Sequence, residues 1–120
     1  MARVVLLSSD MLFSSRLLGA AGTLGTDFKI ASLANQLAAS VTPDSRLVCI
    51  DLGMEALDLP AAVAVIRGTA PAAKIVAFGP HVDEALLASA QSAGCDVVLP
   101  RSQFHKQYVE LLRNAATPAT

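Results

Sequence analysis

The chain is short of most of what a cofactor site or a nucleic-acid surface needs. It has no Trp, one Tyr and four Phe, too few aromatic rings to stack on a flavin or on bases. Its 9 Lys and Arg face 10 Asp and Glu, a net charge of −1, so there is no basic field to attract nucleic acid or an anionic membrane surface. The two histidines, His81 and His105, stand far apart without metal-ligand spacing. Cys49 and Cys95 form no CxxC and have no neighbouring His; both read as small core residues of a reduced, cytoplasmic protein. Long apolar runs are missing too. The mean hydropathy is high at +0.53, yet Leu59 to Ile66 is about as far as an apolar run goes, against the roughly 20 residues of a spanning helix. At the N-terminus, Val4–Leu7 is broken at once by Ser8-Ser9-Asp10, which is too short for a secretory segment.

What is present suits a small α/β domain. Hydrophobic residues make up 53% of the chain, led by Ala, Leu and Val, the composition of Ala-rich helices on a Val/Ile/Leu sheet. The length allows one domain, expected over 1–114, with 115–120 as a flexible C-terminal tail. Strands are predicted at Arg3–Leu7, Phe28–Leu33, Arg46–Asp51, Lys74–Phe78 and Asp96–Leu99. Helices are predicted over Met11–Gly22, Asn35–Ser40, from an Asp58 cap to about Gly68, from Asp83 to a Gly94 stop, and over Gln103–Asn114. Pro100-Arg101-Ser102 reads as a loop. Ser8, Ser9 or Asp10 can cap the first helix, and Pro60 suits the first turn of the third. Five strands alternating with five helices give a parallel sheet with helices on both faces. Gly19, Gly22 and Gly25 form a GxxGxxG, but it follows a helix rather than a strand, so it marks a helix ending and not a dinucleotide cradle.

The organising stretch is Leu47-Val48-Cys49-Ile50-Asp51. Apolar residues on both sides of Cys49 predict a strand buried on both faces, which puts Asp51 at its carboxyl end, where open α/β sheets hold their ligands.

Asp51-Leu52-Gly53-Met54-Glu55-Ala56-Leu57-Asp58 resembles the receiver domains of two-component response regulators. In that family a phospho-accepting Asp is followed by Leu, a variable residue, Met, Pro, two more residues and Asp. Ala93-Gly94-Cys95-Asp96-Val97-Val98-Leu99-Pro100-Arg101-Ser102 is similar to the receiver's Ala-Gly-Ala-Asp, strand, and Lys-Ser or Lys-Pro ending. The resemblance runs from Arg3 to Asn114. It implies a flavodoxin-like three-layer sandwich with a five-stranded parallel sheet in the order 2-1-3-4-5, and a role in signal transduction. It also implies an output face on the fourth helix, fifth strand and fifth helix, here Leu86, Leu87, Val98, Tyr108 and Val109. That face would meet a partner signalling protein or form a weak homodimer.

Against the family pattern the site is degenerate. Ser8 and Ser9 stand where receivers carry the acidic pair that holds Mg²⁺, and Asp10 comes one position late. Gly79 replaces the switch hydroxyl, Val98 the mobile aromatic, and Arg101 the Lys. Mg²⁺ sites rely on carboxylates, and only Asp10 and Asp51 are left to supply them. A receiver's three carboxylates and one Lys leave about −2 for a divalent cation to neutralise, whereas Asp51 and Arg101 sum to zero. Arg also pairs with a carboxylate in a two-pronged way that Lys cannot match.

The expectation is an Asp51–Arg101 ion pair in a non-enzymatic, pseudo-receiver interaction module with no cofactor and no phosphorylation. A simpler alternative has Asp51 only capping the loop or helix beyond it. Two others are a weakly active phospho-acceptor using Asp51 with Mg²⁺, and a small-molecule site in the crevice at the carboxyl ends of the strands.

Overall fold

The computed structural model describes residues 3–80 and 83–116. Its elements in chain order are β1 (Val4–Leu7), α1 (Met11–Leu24), β2 (Phe28–Ala31), a 3₁₀ turn (Ala34–Gln36), α2 (Leu37–Ser40), β3 (Leu47–Asp51), α3 (Leu59–Thr69), β4 (Lys74–Gly79), α4 (Glu84–Ser92), β5 (Val97–Pro100) and α5 (Arg101–Ala116). The strands form one sheet in the order β2-β1-β3-β4-β5, with every neighbouring pair parallel. This is the flavodoxin-like order, and β3 lies at its centre.

Alternation along the buried strands divides the core in two. Val5, Leu7, Val48, Ile50, Ile75 and Ala77 face α2, α3 and α4. Val4, Leu6, Leu47, Cys49, Val76 and Phe78 face α1 and α5, where Phe13, Leu17, Phe104 and Leu112 meet them. All five residues of β3 are buried, as a central parallel strand covered on both sides requires.

Local chemistry sets the helix ends. Asp10 caps α1 by accepting from the Phe13 N–H, Asp58 caps α3 by accepting from Ala61, and Asp83 caps α4 by accepting from Leu86. Each satisfies an amide that the helix itself leaves without a partner. After α4, Gly94 takes φ +104°, a region that disfavours any side chain, and so turns the chain into β5.

Several boundaries shift by a residue or two from the sequence expectation, with β2 stopping at Ala31 and not Leu33 and α1 running on to Leu24 and not Gly22. The two at the ends of α5 bear on the packing around the site. Arg101 is the first residue of α5 and not part of a loop, because the chain turns from strand to helix directly after Pro100. At the other end α5 continues through Ala116, two residues into the expected tail. Ala115 is buried against the α1/α5 core, and Arg3 Nη1 donates to the Ala116 carbonyl at 3.3 Å. The rest of the expected tail, 117–120, lies outside the described residues, as does His81. α2 is also brief, a single turn after a 3₁₀ turn.

Candidate functional site

Asp51 ends β3 with its side chain only 6% exposed. A buried carboxylate is costly unless its oxygens are hydrogen-bonded and its charge is matched, and here both conditions are met. Ser8, directly after β1 and fully buried, donates its hydroxyl to Asp51 Oδ2 at 2.9 Å. The Gly53 N–H donates to Oδ1 at 2.9 Å. Arg101 Nη2 donates to the same Oδ1 at 3.0 Å. The ion pair and the loop cap, framed as alternatives from the sequence, therefore coexist on one carboxylate.

Arg101 reaches this position because it opens α5 beside the end of β5. Its guanidinium carbon lies 5.3 Å from the centre of the Phe78 ring and 5.8 Å from that of Phe13, within range of cation–π attraction. Phe78 is the register partner of Asp51 across β3 and β4, so the strand pairing itself places ring and carboxylate together. Arg101 Nη1 also lies 3.7 Å from Asp10 Oδ2. Asp10 in turn donates its N–H to Ser8 Oγ at 3.2 Å. The contacts form a closed circuit through Asp51, Ser8, Asp10 and Arg101 that joins β3, the β1–α1 loop and α5.

The remaining expected site residues are distributed around this circuit. Ser9 is exposed and lines an open cavity of about 590 Å³ together with Gly53, Met54 and Glu55. Asp51 does not line it. Gly79 ends β4 against Leu52 and Leu86; a Cβ built there would lie 3.3 Å from Leu52 Cβ and 3.7 Å from Leu86 Cδ2. The space for a switch hydroxyl is thus filled by leucine.

On the expected output face, Leu86, Leu87 and Val98 are half-buried and pack on the α2/α3/α4 core. Tyr108 packs partly on the other core, and Val109 is 39% exposed. His105 is exposed, with its ring against Phe13. Cys49 is fully buried, and burial pushes its thiol up to about 12. Burial also raises Cys95, so neither is a ready nucleophile.

The sequence pointed to Asp51, Arg101 and Asp10 but not to the roles of Ser8, Phe13 and Phe78. Among the described residues, no cluster of three or more His, Cys, Asp or Glu could hold a metal ion. No described helix is long and apolar enough to cross a membrane.

The chain has the fold of response-regulator receiver domains. No protein-family model matches it, and no curated protein sequence matches it. Solved structures do. One is a response regulator protein from Burkholderia pseudomallei with a phosphorylated aspartic acid, a calcium ion and citrate. It has 16% identity and a TM-score of 0.75, with 97% of this chain and 69% of that chain covered. Another is a chain from Burkholderia thailandensis assigned to pilus assembly (cpaE), with 18% identity, a TM-score of 0.69, and coverage of 98% and 100%. A third is the beryllofluoride-activated NtrC4 receiver domain dimer, with 14% identity, a TM-score of 0.73, and coverage of 98% and 100%.

Proposed function

We propose that this domain is a receiver-fold signalling module that acts through protein contact and not through phosphoryl transfer at Asp51. The observation that carries the reading is the 3.0 Å contact between Arg101 Nη2 and Asp51 Oδ1. In this reading the guanidinium is a built-in cation that does the neutralising work of Mg²⁺. Shared between Asp51 and Asp10, it balances one of the two carboxylates and leaves only a single negative charge. The available donors do not fit a divalent ion, because Asp10 caps α1 and turns its other oxygen towards Arg101. Ser8 offers only a neutral hydroxyl, already committed to Asp51. Mg²⁺ binding relies on carboxylates and near-octahedral geometry.

Both Asp51 oxygens are already engaged, Oδ1 by Gly53 and Arg101 and Oδ2 by Ser8, so a phospho-acceptor role would have to disturb these contacts. It would also lack a hydroxyl at Gly79 to receive the phosphoryl group.

The module is proposed to be non-catalytic, to work in the cytoplasm, and to use the α4–β5–α5 face for a partner signalling protein or a weak homodimer. Val109, an exposed apolar residue on this face, supports its use. An amide NMR titration with Mg²⁺ tests the reading. Resonances of Ser8, Asp10, Asp51 and Gly53 should stay in place through millimolar Mg²⁺, and saturable shifts at these residues would contradict it.

A further inference from the structure

The helix pair on the side of the sheet away from the Asp51–Arg101 circuit leaves an open groove. α3 has 11 residues, but its neighbour α2 has only four, so part of the α3 surface has no helix beside it. A cavity of about 340 Å³ lies there, walled by Leu37 and Ala38 on one side and by Leu57, Ala61 and Val65 on the other. The 590 Å³ cavity at the carboxyl ends of the strands shares Ala34, Asn35 and Ala56 with it as a common wall. Leu33, 57% exposed, stands at the edge of this joined groove.

The ridge between the two cavities is strained. Ala56 holds φ +58°, a left-handed conformation that a residue with a Cβ adopts reluctantly, and such outliers gather at functional surfaces. The lining is also one-signed. Glu55 and Asp58 belong to it, and no Lys, Arg or His does.

An apolar trough flanked by helices, with carboxylates at one end, matches the face of an amphipathic helix whose anchors recur at i, i+3, i+4 and i+7. We propose that this groove takes an amphipathic helix of a partner protein, with a Lys or Arg at the end that lies over Glu55 and Asp58. The proposal rests on the reading of this domain as a protein-interaction module and assigns it a contact surface separate from the α4–β5–α5 face.

The probe is a fluorescein-labelled helical peptide of about 14 residues, roughly 21 Å long, with Leu on one face and two Lys at one end. It is made in both sequence directions, alongside twins with Glu in place of Lys. Fluorescence anisotropy should show one lysine peptide binding at least about tenfold more tightly than its glutamate twin, with salt weakening it. Ala38→Arg, which fills the trough from an exposed position, should abolish binding, and Glu55→Lys should reverse the Lys-over-Glu preference. Circular dichroism checks that both variants are folded. Equal affinity for the lysine and glutamate peptides would overturn the proposal. So would binding that survives Ala38→Arg but is lost in Val109→Glu, although that result would leave the interaction-module reading standing. If the protein alone self-associates in light scattering and Ala38→Arg prevents it, the occupant is a second copy and the partner assignment fails. The Mg²⁺ titration above tests the Asp51–Arg101 reading separately.

Discussion

Arg101 Nη2 stands 3.0 Å from Asp51 Oδ1, with the arginine side chain 33% exposed and the aspartate 6%. Removing one partner of a fully buried pair costs about 3–5 kcal/mol, and water access on the arginine side lowers that to roughly 1–3. Asp51→Ala and Arg101→Ala should each destabilise by that amount in urea melts. The double variant should lose less than the sum, because the second removal no longer strands a charge. Arg101→Lys should recover only part of the loss, since a single ammonium cannot span Asp10 and Asp51 while lying against Phe13 and Phe78.

Gly79→Ser should destabilise. Its Cβ would lie 3.3 Å from Leu52 Cβ, and β4 and the backbone at Leu52 are joined by a Leu52 N–H to Phe78 carbonyl bond at 2.9 Å, so neither can give way easily. The expected cost is about 1–2 kcal/mol by chemical denaturation. The added hydroxyl should not confer a response to phosphodonors.

Asp96 ties β5 to β4 and α3. Its carboxylate accepts from the Ile75 N–H at 2.7 Å and from Arg67 at 2.9 Å. Burial works to raise its pKa, but the Ile75 and Arg67 contacts outweigh it and hold the carboxyl below its ordinary 3.8. A depressed folded value stabilises the protein at pH above the unfolded value, and that contribution drains away as pH falls through about 4 and below. Thermal melts from pH 7 to pH 3 should therefore fall less steeply for Asp96→Asn than for the wild type, with the two curves converging at the acid end.

Much of this was legible in the chain. The apolar run Leu47–Ile50 ending on Asp51 marked a doubly covered central strand, and the order of five strands followed from the receiver resemblance. Asp58 sat where a helix cap belongs and Asp10 was one of three candidate caps with Ser8 and Ser9, whereas Asp83 read as a charge in the first turn of α4 and is in fact its cap. The pairing of Asp51 with Arg101 could be argued from charge once the receiver resemblance put Arg101 in the place of the Lys. Other features could not be read. Ser8 is 43 positions from the carboxylate it serves, and no periodicity encodes that contact. Phe78 read as one more core residue until register set it opposite Asp51. Pro100-Arg101-Ser102 looked like a loop because no side-chain cap precedes Arg101. Leu86 and Leu87 were expected on the surface, but their depth depends on how α4 lies against Gly79 and Leu52, which is tertiary information.

Cys49 and Cys95 should be slow to modify in the folded protein. With its thiol pushed up to about 12 and the side chain buried, Cys49 should resist iodoacetamide at pH 8 until urea unfolds the chain. Cys95, also buried and raised, should react slowly but first. Time-resolved mass spectrometry of alkylated peptides checks the order.

The question of phosphoryl transfer is settled most directly by intact mass after incubation with acetyl phosphate and Mg²⁺. If Arg101 holds the place of metal and phosphoryl group, wild type and Asp51→Asn should give the same unmodified mass. A phosphoryl adduct that maps to Asp51 and disappears in Asp51→Asn would contradict a standing Arg101 lock and make the domain a working phospho-acceptor.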